Sequence, residues 1–173
     1  MLCGGDGQET LDLCGPCQAD LPANDLACRI CSQPLIATSA ALLCGACLRR
    51  PPRYQASCVP FRYAYPLEHL IRGLKYRRDV VSGRVLGDLL GRRILAHRDE
   101  PLPDAMIPVP LTQRRYCERG YNQATELALR IHKCTGVALR LDVAVRTRET
   151  QEQATLSRKD RRKKVPGSMS RTA

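Results

Sequence analysis

Paired cysteines in the N-terminal part constrain the fold of this chain more than any other feature. Three CxxC pairs occur, at Cys14 and Cys17, Cys28 and Cys31, and Cys44 and Cys47. A CxxC pair places two thiolates about one turn apart, so both can bind the same tetrahedral Zn²⁺. Twelve residues separate the last two pairs, which is typical of a four-cysteine zinc ribbon. The sequence therefore predicts a structural zinc site made of these last four cysteines.

The first CxxC pair has fewer partners. Cys14 and Cys17 need two more ligands, and Cys3 is the one cysteine that precedes them. Asp6 stands where a second cysteine would complete a further CxxC pair, and a carboxylate oxygen can also bind zinc. Two interpretations stay open: a second zinc on Cys3, Asp6, Cys14 and Cys17, or a module with one zinc and a frayed first ribbon. In both, protein groups fill the coordination sphere, which is typical of structural metal sites.

The compartment decides how the ten cysteines are interpreted. The chain has no apolar run long enough to cross a membrane and no basic N-terminal segment followed by an apolar stretch, so we expect a cytoplasmic protein without a membrane span. In that reducing compartment, closely spaced cysteines are more often metal ligands than disulfides. A secreted disulfide scaffold is the alternative. Cys58, Cys117 and Cys134 are isolated in sequence and are interpreted as ordinary thiols.

Positive charge is concentrated in the second part of the chain. The net charge is +11; residues 1–60 carry four Arg against five acidic residues, whereas residues 61–173 carry 24 basic and 12 acidic residues. Such an excess favours phosphate-bearing partners, either nucleic acid or a smaller phosphate ligand. A solvated basic surface without a partner is the simpler alternative.

The chain divides into four parts. Residues 1–48 form the predicted zinc ribbon module, and residues 49–65 form a proline-containing linker that ends in a short strand at 56–65. Residues 66–157 alternate helix and strand patterns, as an α/β domain does. Residues 158–173 are polar and basic, so we expect a disordered tail.

Within the α/β part, apolar spacing predicts one helix that starts near Pro66 and another at 80–97. Gly83, Gly87 and Gly91 lie on one ridge of the second helix, which indicates close packing against another element. A buried strand is predicted at 105–109 and another strand at 139–145. Between them, Asn122 is a predicted N-cap, and the helix that follows ends at Gly136.

The polar segment between the first strand and this last helix carries Arg114, Arg115 and Arg119, followed by Gly120. It is predicted to be a loop at the carboxyl end of a strand, where ligands bind in α/β sheets. Helix N-termini and glycine-containing turns suit anions, so the segment predicts a phosphate or pyrophosphate site. A solvated basic turn is the alternative.

Four motifs occur in order along the chain: LIRGLKY at 70–76, VPLTQRRYCERGYNQ at 109–123, RTRETQEQ at 146–153, and Leu156 with the basic run RKDRR at 158–162. With the CxxC pairs before them, they make the chain resemble the ComF/GntX-like family. The resemblance implies a double zinc ribbon followed by a type I phosphoribosyltransferase-like (Rossmann-like) domain. It also implies a role in competence or DNA utilisation, with DNA-uptake proteins as partners.

The resemblance assigns residue roles as well. Pyrophosphate is expected to meet Arg114, Arg115, Arg119 and Gly120, with Asn122 and Gln123 opening the next helix. Segment 146–153 corresponds to a flexible loop over the active site. Zn²⁺ is expected as the structural cofactor, and Mg²⁺ only with a complete transferase domain.

Two departures from the family pattern change the expectation. Asp6 replaces a cysteine, which leaves the number of zinc ions open. The family's acidic pair and Thr-Thr-Gly turn, which bind phosphoribosyl pyrophosphate, do not occur in these 173 residues. We therefore expect a C-terminally truncated or frame-disrupted member with an incomplete domain and no transferase activity. The alternative function is a zinc-ribbon interaction module that binds nucleic acid through its basic C-terminal half.

Overall fold

A computed structural model describes residues 2–36, 42–96, 101–149 and 167–172. Its helices are α1 (Gly15–Ala19), α2 (Gly45–Arg49), α3 (Leu67–Tyr76), α4 (Val80–Ala96), α5 (Gln113–Arg119) and α6 (Gln123–Thr135). Its strands are β1 (Ala105–Met106), β2 (Ala138–Leu139), β3 (Ala144–Arg146) and β4 (Met169–Arg171). Within these ranges no helix combines the length and the hydropathy needed to cross a bilayer. The fold is mixed α/β.

The segment between the cysteine-rich module and α3 belongs to that module. Asn24 Nδ2 donates hydrogen bonds to the backbone oxygens of Ser32 and Val59, both at 3.0 Å, and Ser57 Oγ donates to the Ile30 carbonyl at 3.0 Å. The strand predicted at 56–65 is wrong, because this segment forms only an isolated bridge between Phe61 and Ala23. Side-chain hydrogen bonds replace a strand ladder here.

Helices α3 and α4 form as the apolar spacing predicted, and α4 matches the predicted span except for His97, which lies outside the described residues. Their buried residues join those of the N-terminal module in one core. Its fully buried members include Leu70 of α3 and Val85 of α4. The core consists of Leu11, Leu13, Cys17, Leu21, Leu67, Leu70, Val85 and Leu89. The N-terminal module and the two helices therefore bury their apolar side chains in the same core.

The glycine ridge of α4 is in close contact with α6, as the sequence predicted. An added Cβ at Gly87 would lie 2.6 Å from Arg130 Cβ, and one at Gly91 would lie 2.8 Å from Cys134 Cβ. Beside this contact, Arg130 Nη2 and Nε lie 2.8 and 2.9 Å from the carboxylate oxygens of Asp88. Asp88 is buried, and the two-point ion pair compensates for its desolvation.

Strands are shorter than the sequence predicted. β1 covers two residues of the predicted strand 105–109 and is not buried, and Ile107 and Val109 are about half exposed. Pro108 and Pro110 lack the N–H that a ladder requires, which limits the strand. β1 pairs in parallel with β2, and α5 and α6 connect them. This is a βαβ arrangement of the α/β class.

The strand predicted at 139–145 is also wrong as a single element, because it divides into β2 and β3. Between them the guanidinium of Arg140 binds the carboxylate of Asp142 at 2.7 and 2.9 Å. β3 then pairs antiparallel with β4. The prediction of a disordered tail is therefore wrong for Met169–Arg171, while residues 158–166 lie outside the described residues. Gly167 adopts φ +70° before β4, and its carbonyl accepts hydrogen bonds from the guanidinium of Arg148.

We expect Gly87→Ala to destabilise the protein even though alanine favours helices. Its methyl group would overlap Arg130 and the Leu127 carbonyl, and overpacking of this kind costs about 1–3 kcal/mol. The measurement is the free energy of unfolding by urea. Gly15→Ala is the control, because an added Cβ at Gly15 has no atom within 4 Å. Equal stability of the two variants would contradict the close contact of α4 and α6.

Candidate metal centres and a basic cleft

The second and third CxxC pairs come together as predicted. The Sγ atoms of Cys28, Cys31, Cys44 and Cys47 all lie within 4.8 Å of one another. Around a zinc ion, four sulfurs at about 2.3 Å from the metal lie roughly 3.8 Å apart. Helix α2 starts directly after Cys44 and carries Cys47 in its first turn, with Cys47 buried. The four thiols can hold one metal ion.

The protonation of these thiols is uneven. Burial opposes ionisation of Cys28, but the backbone N–H groups of Cys31, Cys44 and Ile30 lower its pKa to about 6. Burial, together with hydrogen bonds to the other three thiols, raises the pKa of Cys47 to about 12. Four thiolates at this spacing repel one another, so a central divalent cation is needed for all of them to ionise.

The first CxxC pair forms a second cluster with Cys3. The Sγ atoms of Cys3, Cys14 and Cys17 lie within 4.8 Å of one another, and the Sγ atoms of Cys3 and Cys14 are 3.4 Å apart. Gly4 adopts φ +78°, which glycine accommodates without strain, and the Gly5 N–H donates to Cys3 Sγ at 3.3 Å. Asp6 is not part of this cluster. Both cysteine clusters can therefore hold a metal ion, the first through three thiols.

The predicted basic loop is wrong, because its residues form helix α5. Thr112 caps the helix by accepting a hydrogen bond from the Arg115 N–H at 3.4 Å, and Gly120 ends it in the left-handed conformation, with φ +81°. Gly120 thus serves as a helix C-cap, a position that favours glycine because it has no Cβ.

Two of the predicted arginines line a cleft together with residues that the sequence analysis did not assign to a site. Arg115 and Arg119 come from α5, and Lys75 and Arg78 come from the C-terminal end of α3 and the turn after it. The cleft has a volume of about 200 Å³ and is also lined by Tyr76, Glu118 and Tyr121. Tyr121 Oη donates a hydrogen bond to the Leu74 carbonyl, which joins the two sides.

The remaining predicted phosphate ligands have other partners. Arg114 lies 2.9 Å from Glu118 and 3.5 Å from Glu149, and it does not line the cleft. Asn122 caps α6 by accepting from the Ala124 N–H, and its Nδ2 donates to the Val109 carbonyl, both at 3.0 Å.

Gln123 binds one of the arginines that line the cleft. Its Oε1 accepts a hydrogen bond from Arg119 Nη1 at 3.0 Å. Its Nε2 is buried and has no hydrogen-bond partner among the described residues.

The flexible loop predicted at 146–153 is described only as far as Glu149. The basic run at 158–162 and Leu156 lie outside the described residues. Arg78 is one of the cleft residues that the sequence analysis missed. The signal available for it was the consecutive basic pair in the polar break between the two predicted helices.

Comparison with known proteins identifies several relatives. The chain is 34% identical to DNA utilization protein YhgH of Escherichia coli O157:H7 over 156 residues, which cover 88% of this chain and 68% of the relative. It is 31% identical to the protein of that name from Salmonella typhi, again over 88% of this chain and 68% of the relative. It is 34% identical to competence protein F of Haemophilus influenzae over 133 residues, 73% of this chain and 57% of the relative. No protein-family model and no solved structure matches the chain.

We expect a chelator to remove metal from the two clusters at different rates. The three-thiol cluster includes the exposed Cys3, whereas two cysteines of the four-thiol cluster are buried. The metal of the three-thiol cluster should therefore leave faster. Release can be followed with a colorimetric zinc indicator, and loss of secondary structure by circular dichroism. A single release phase for two equivalents of zinc would contradict this difference.

Asp6→Cys is the matched variant, since it restores the missing CxxC pair. We expect it to slow the fast phase and to strengthen the thiolate-to-metal charge-transfer band when Co²⁺ replaces zinc, because one more thiolate binds the metal. Asp20→Cys is the control, because Asp20 follows α1 and is not part of either cluster. An unchanged fast phase in Asp6→Cys would show that residue 6 does not reach the metal.

Proposed function

This chain belongs to the ComF family of competence and DNA-utilisation proteins, and from that premise we propose that it acts in the uptake or use of DNA in the cytoplasm. The observation that carries the proposal is the 34% identity to a DNA utilization protein over 88% of the chain. The metal-binding module is proposed to be a pair of zinc ribbons with a structural role, and the part after it a phosphoribosyltransferase-like domain. The proposal concerns the binding of phosphate by residues of this chain.

The site that we propose for phosphate binding is the basic cleft beside α5. Arg115 and Arg119 supply guanidinium groups, which suit phosphate because they donate two parallel hydrogen bonds. Their helix follows β1 in the connection between two parallel strands, and ligands of α/β proteins bind at the carboxyl ends of such strands. Gly120, Asn122 and Gln123 support the site by ending α5, starting α6 and holding Arg119. Arg114 is neutralised by two carboxylates and contributes less.

Electrostatics near the cleft supports an anionic ligand of modest size. Glu118 is the one carboxylate among the residues that line the cleft, against four cationic side chains. It lies 3.5 Å from Arg115 Nη1. A phosphate ligand would therefore meet an excess of positive charge that Glu118 reduces.

Opposite changes of charge at the cleft should have opposite effects on phosphate binding. We expect Arg119→Ala to weaken binding of inorganic pyrophosphate roughly tenfold, the effect of losing one charge-assisted hydrogen bond. We expect Glu118→Gln to strengthen it by a few-fold, because a repulsive charge is removed. Isothermal titration calorimetry at fixed ionic strength measures both.

Arg140→Ala is the control for net charge, because Arg140 pairs with the exposed Asp142 and does not line the cleft. Its affinity for pyrophosphate should equal that of the parent protein. Absence of any pyrophosphate binding by the parent, or an equal loss in Arg140→Ala and Arg119→Ala, would contradict the proposed site.

A second candidate function is nucleic-acid binding through the basic C-terminal half. The observation that favours it is the exposure of Tyr63, Tyr65 and Tyr76 within the basic part 61–173, each by more than half, since exposed aromatic rings can stack on bases. Binding of this kind should weaken steeply as salt rises, because counterions are released from the nucleic acid. Titration of a single-stranded oligonucleotide between 50 and 200 mM salt tests it. An affinity that barely changes over that range would exclude this mode.

A further inference from the structure

The turn between α3 and α4 is short and fixed at both ends. The Arg77 and Asp79 N–H groups donate to the Gly73 carbonyl at 3.0 and 3.2 Å, which closes the end of α3. Asp79 then caps α4: its Oδ1 accepts from the Val81 and Ser82 N–H groups, both at 3.1 Å. Hydrogen bonds at both ends leave the residue between them, Arg78, little conformational choice.

Arg78 adopts the left-handed conformation, with φ +54°. Helices often end with one residue in this conformation, and that residue is usually glycine, because a Cβ approaches the following carbonyl oxygen. Gly120 and Gly136 adopt this conformation directly after α5 and α6. After α3 the left-handed residue is the second one past the helix, and it is an arginine. Strained non-glycine residues of this kind concentrate at functional sites.

The side chain of Arg78 crosses to the opposite side of the cleft. Its Nη2 donates to the Glu118 backbone carbonyl at 3.3 Å, so the guanidinium lies beside the helix that carries Arg115 and Arg119. Lys75 also lines the cleft, and no ion pair of Lys75 with another described residue is found. One cation from the end of α3 and one from the turn after it thus line the same cleft as two cations from α5.

The dimensions of the cleft limit its ligand. Its volume of about 200 Å³ is below the range of about 300–1,000 Å³ that is typical of pockets for drug-sized ligands. A diphosphate group is small enough for this space and carries enough negative charge to pair with several of the cations that line it.

We propose that Lys75 and Arg78 form the second wall of a diphosphate site whose first wall is Arg115 and Arg119, and that Arg78 keeps its left-handed backbone because its guanidinium binds the ligand. This inference rests on the proposed phosphate-binding function of α5. The ligand is the diphosphate group of a small molecule, and inorganic pyrophosphate is its simplest probe.

Arg78→Gly separates the binding role from the structural one. Glycine relieves the left-handed backbone, so we expect the melting temperature to rise by about 2–4 °C. The same change removes a guanidinium from the cleft, so we expect pyrophosphate to bind roughly tenfold more weakly. A residue that serves only the turn would not produce higher stability together with weaker binding. Lys75→Gln should also weaken binding and leave the melting temperature unchanged.

Arg77→Ala is the matched control, because Arg77 belongs to the same turn, is exposed and does not line the cleft. It removes the same charge and should leave pyrophosphate binding within twofold of the parent. If Arg78→Gly also binds within twofold, or weakens binding no more than Arg77→Ala does, the inference is overturned.

The experiment distinguishes this inference from the proposed function beneath it. If the parent does not bind pyrophosphate, the proposed phosphate site itself fails. If Arg119→Ala weakens binding while Arg78→Gly and Lys75→Gln do not, only the second wall is wrong. If Arg78→Gly weakens binding of a single-stranded oligonucleotide but not of pyrophosphate, the ligand is a nucleic acid and the small diphosphate is ruled out.

Discussion

The contact between α4 and α6 is the constraint on which the rest of the arrangement depends. Helix α4 touches the N-terminal module through Val85 and Leu89 and touches α6 through its glycine ridge. Because Gly87 and Gly91 carry no Cβ, the α6 backbone approaches closely. This close approach fixes the position of α6 relative to α4. Since α5 ends only a few residues before α6, the same contact brings α5 beside the end of α3, where Tyr121 binds the Leu74 carbonyl.

The N-terminal module depends on α4 as well. Its buried Leu11, Leu13 and Leu21 lie in one core with residues of α3 and α4. Polar contacts accompany this burial: Arg84 pairs with Asp12 at 2.8 Å, and Arg92 donates to the Thr10 carbonyl at 2.9 Å. A small module of this kind gains stability from metal binding and from its neighbour together. Loss of metal is therefore expected to disturb the shared core as well as the cysteine loops.

Local signals predicted α3, α4, α6 and the cysteine clusters, whereas tertiary context decided the strands. Asn122 and Gly136 mark the ends of α6 in the sequence and cap it in the structure. Thr112 and Gly120 cap the two ends of α5 in the same way. Its residues are polar and lack an apolar stripe, so the sequence pattern favours a loop there. The strands failed for another reason. Their length depends on pairing with distant segments, which periodicity within a short window does not contain.

Charge placement at the cleft explains why the chain combines two unfavourable features in one place. Four cations around a small space repel one another, and Glu118 offsets only part of that repulsion. The one left-handed arginine of the described residues faces the same space. The repulsion and the left-handed backbone of Arg78 both cost stability, and glycine at position 78 would adopt this backbone with less strain. The proposed phosphate ligand would offset the repulsion and bind the guanidinium of the strained arginine, so one ligand would account for both features.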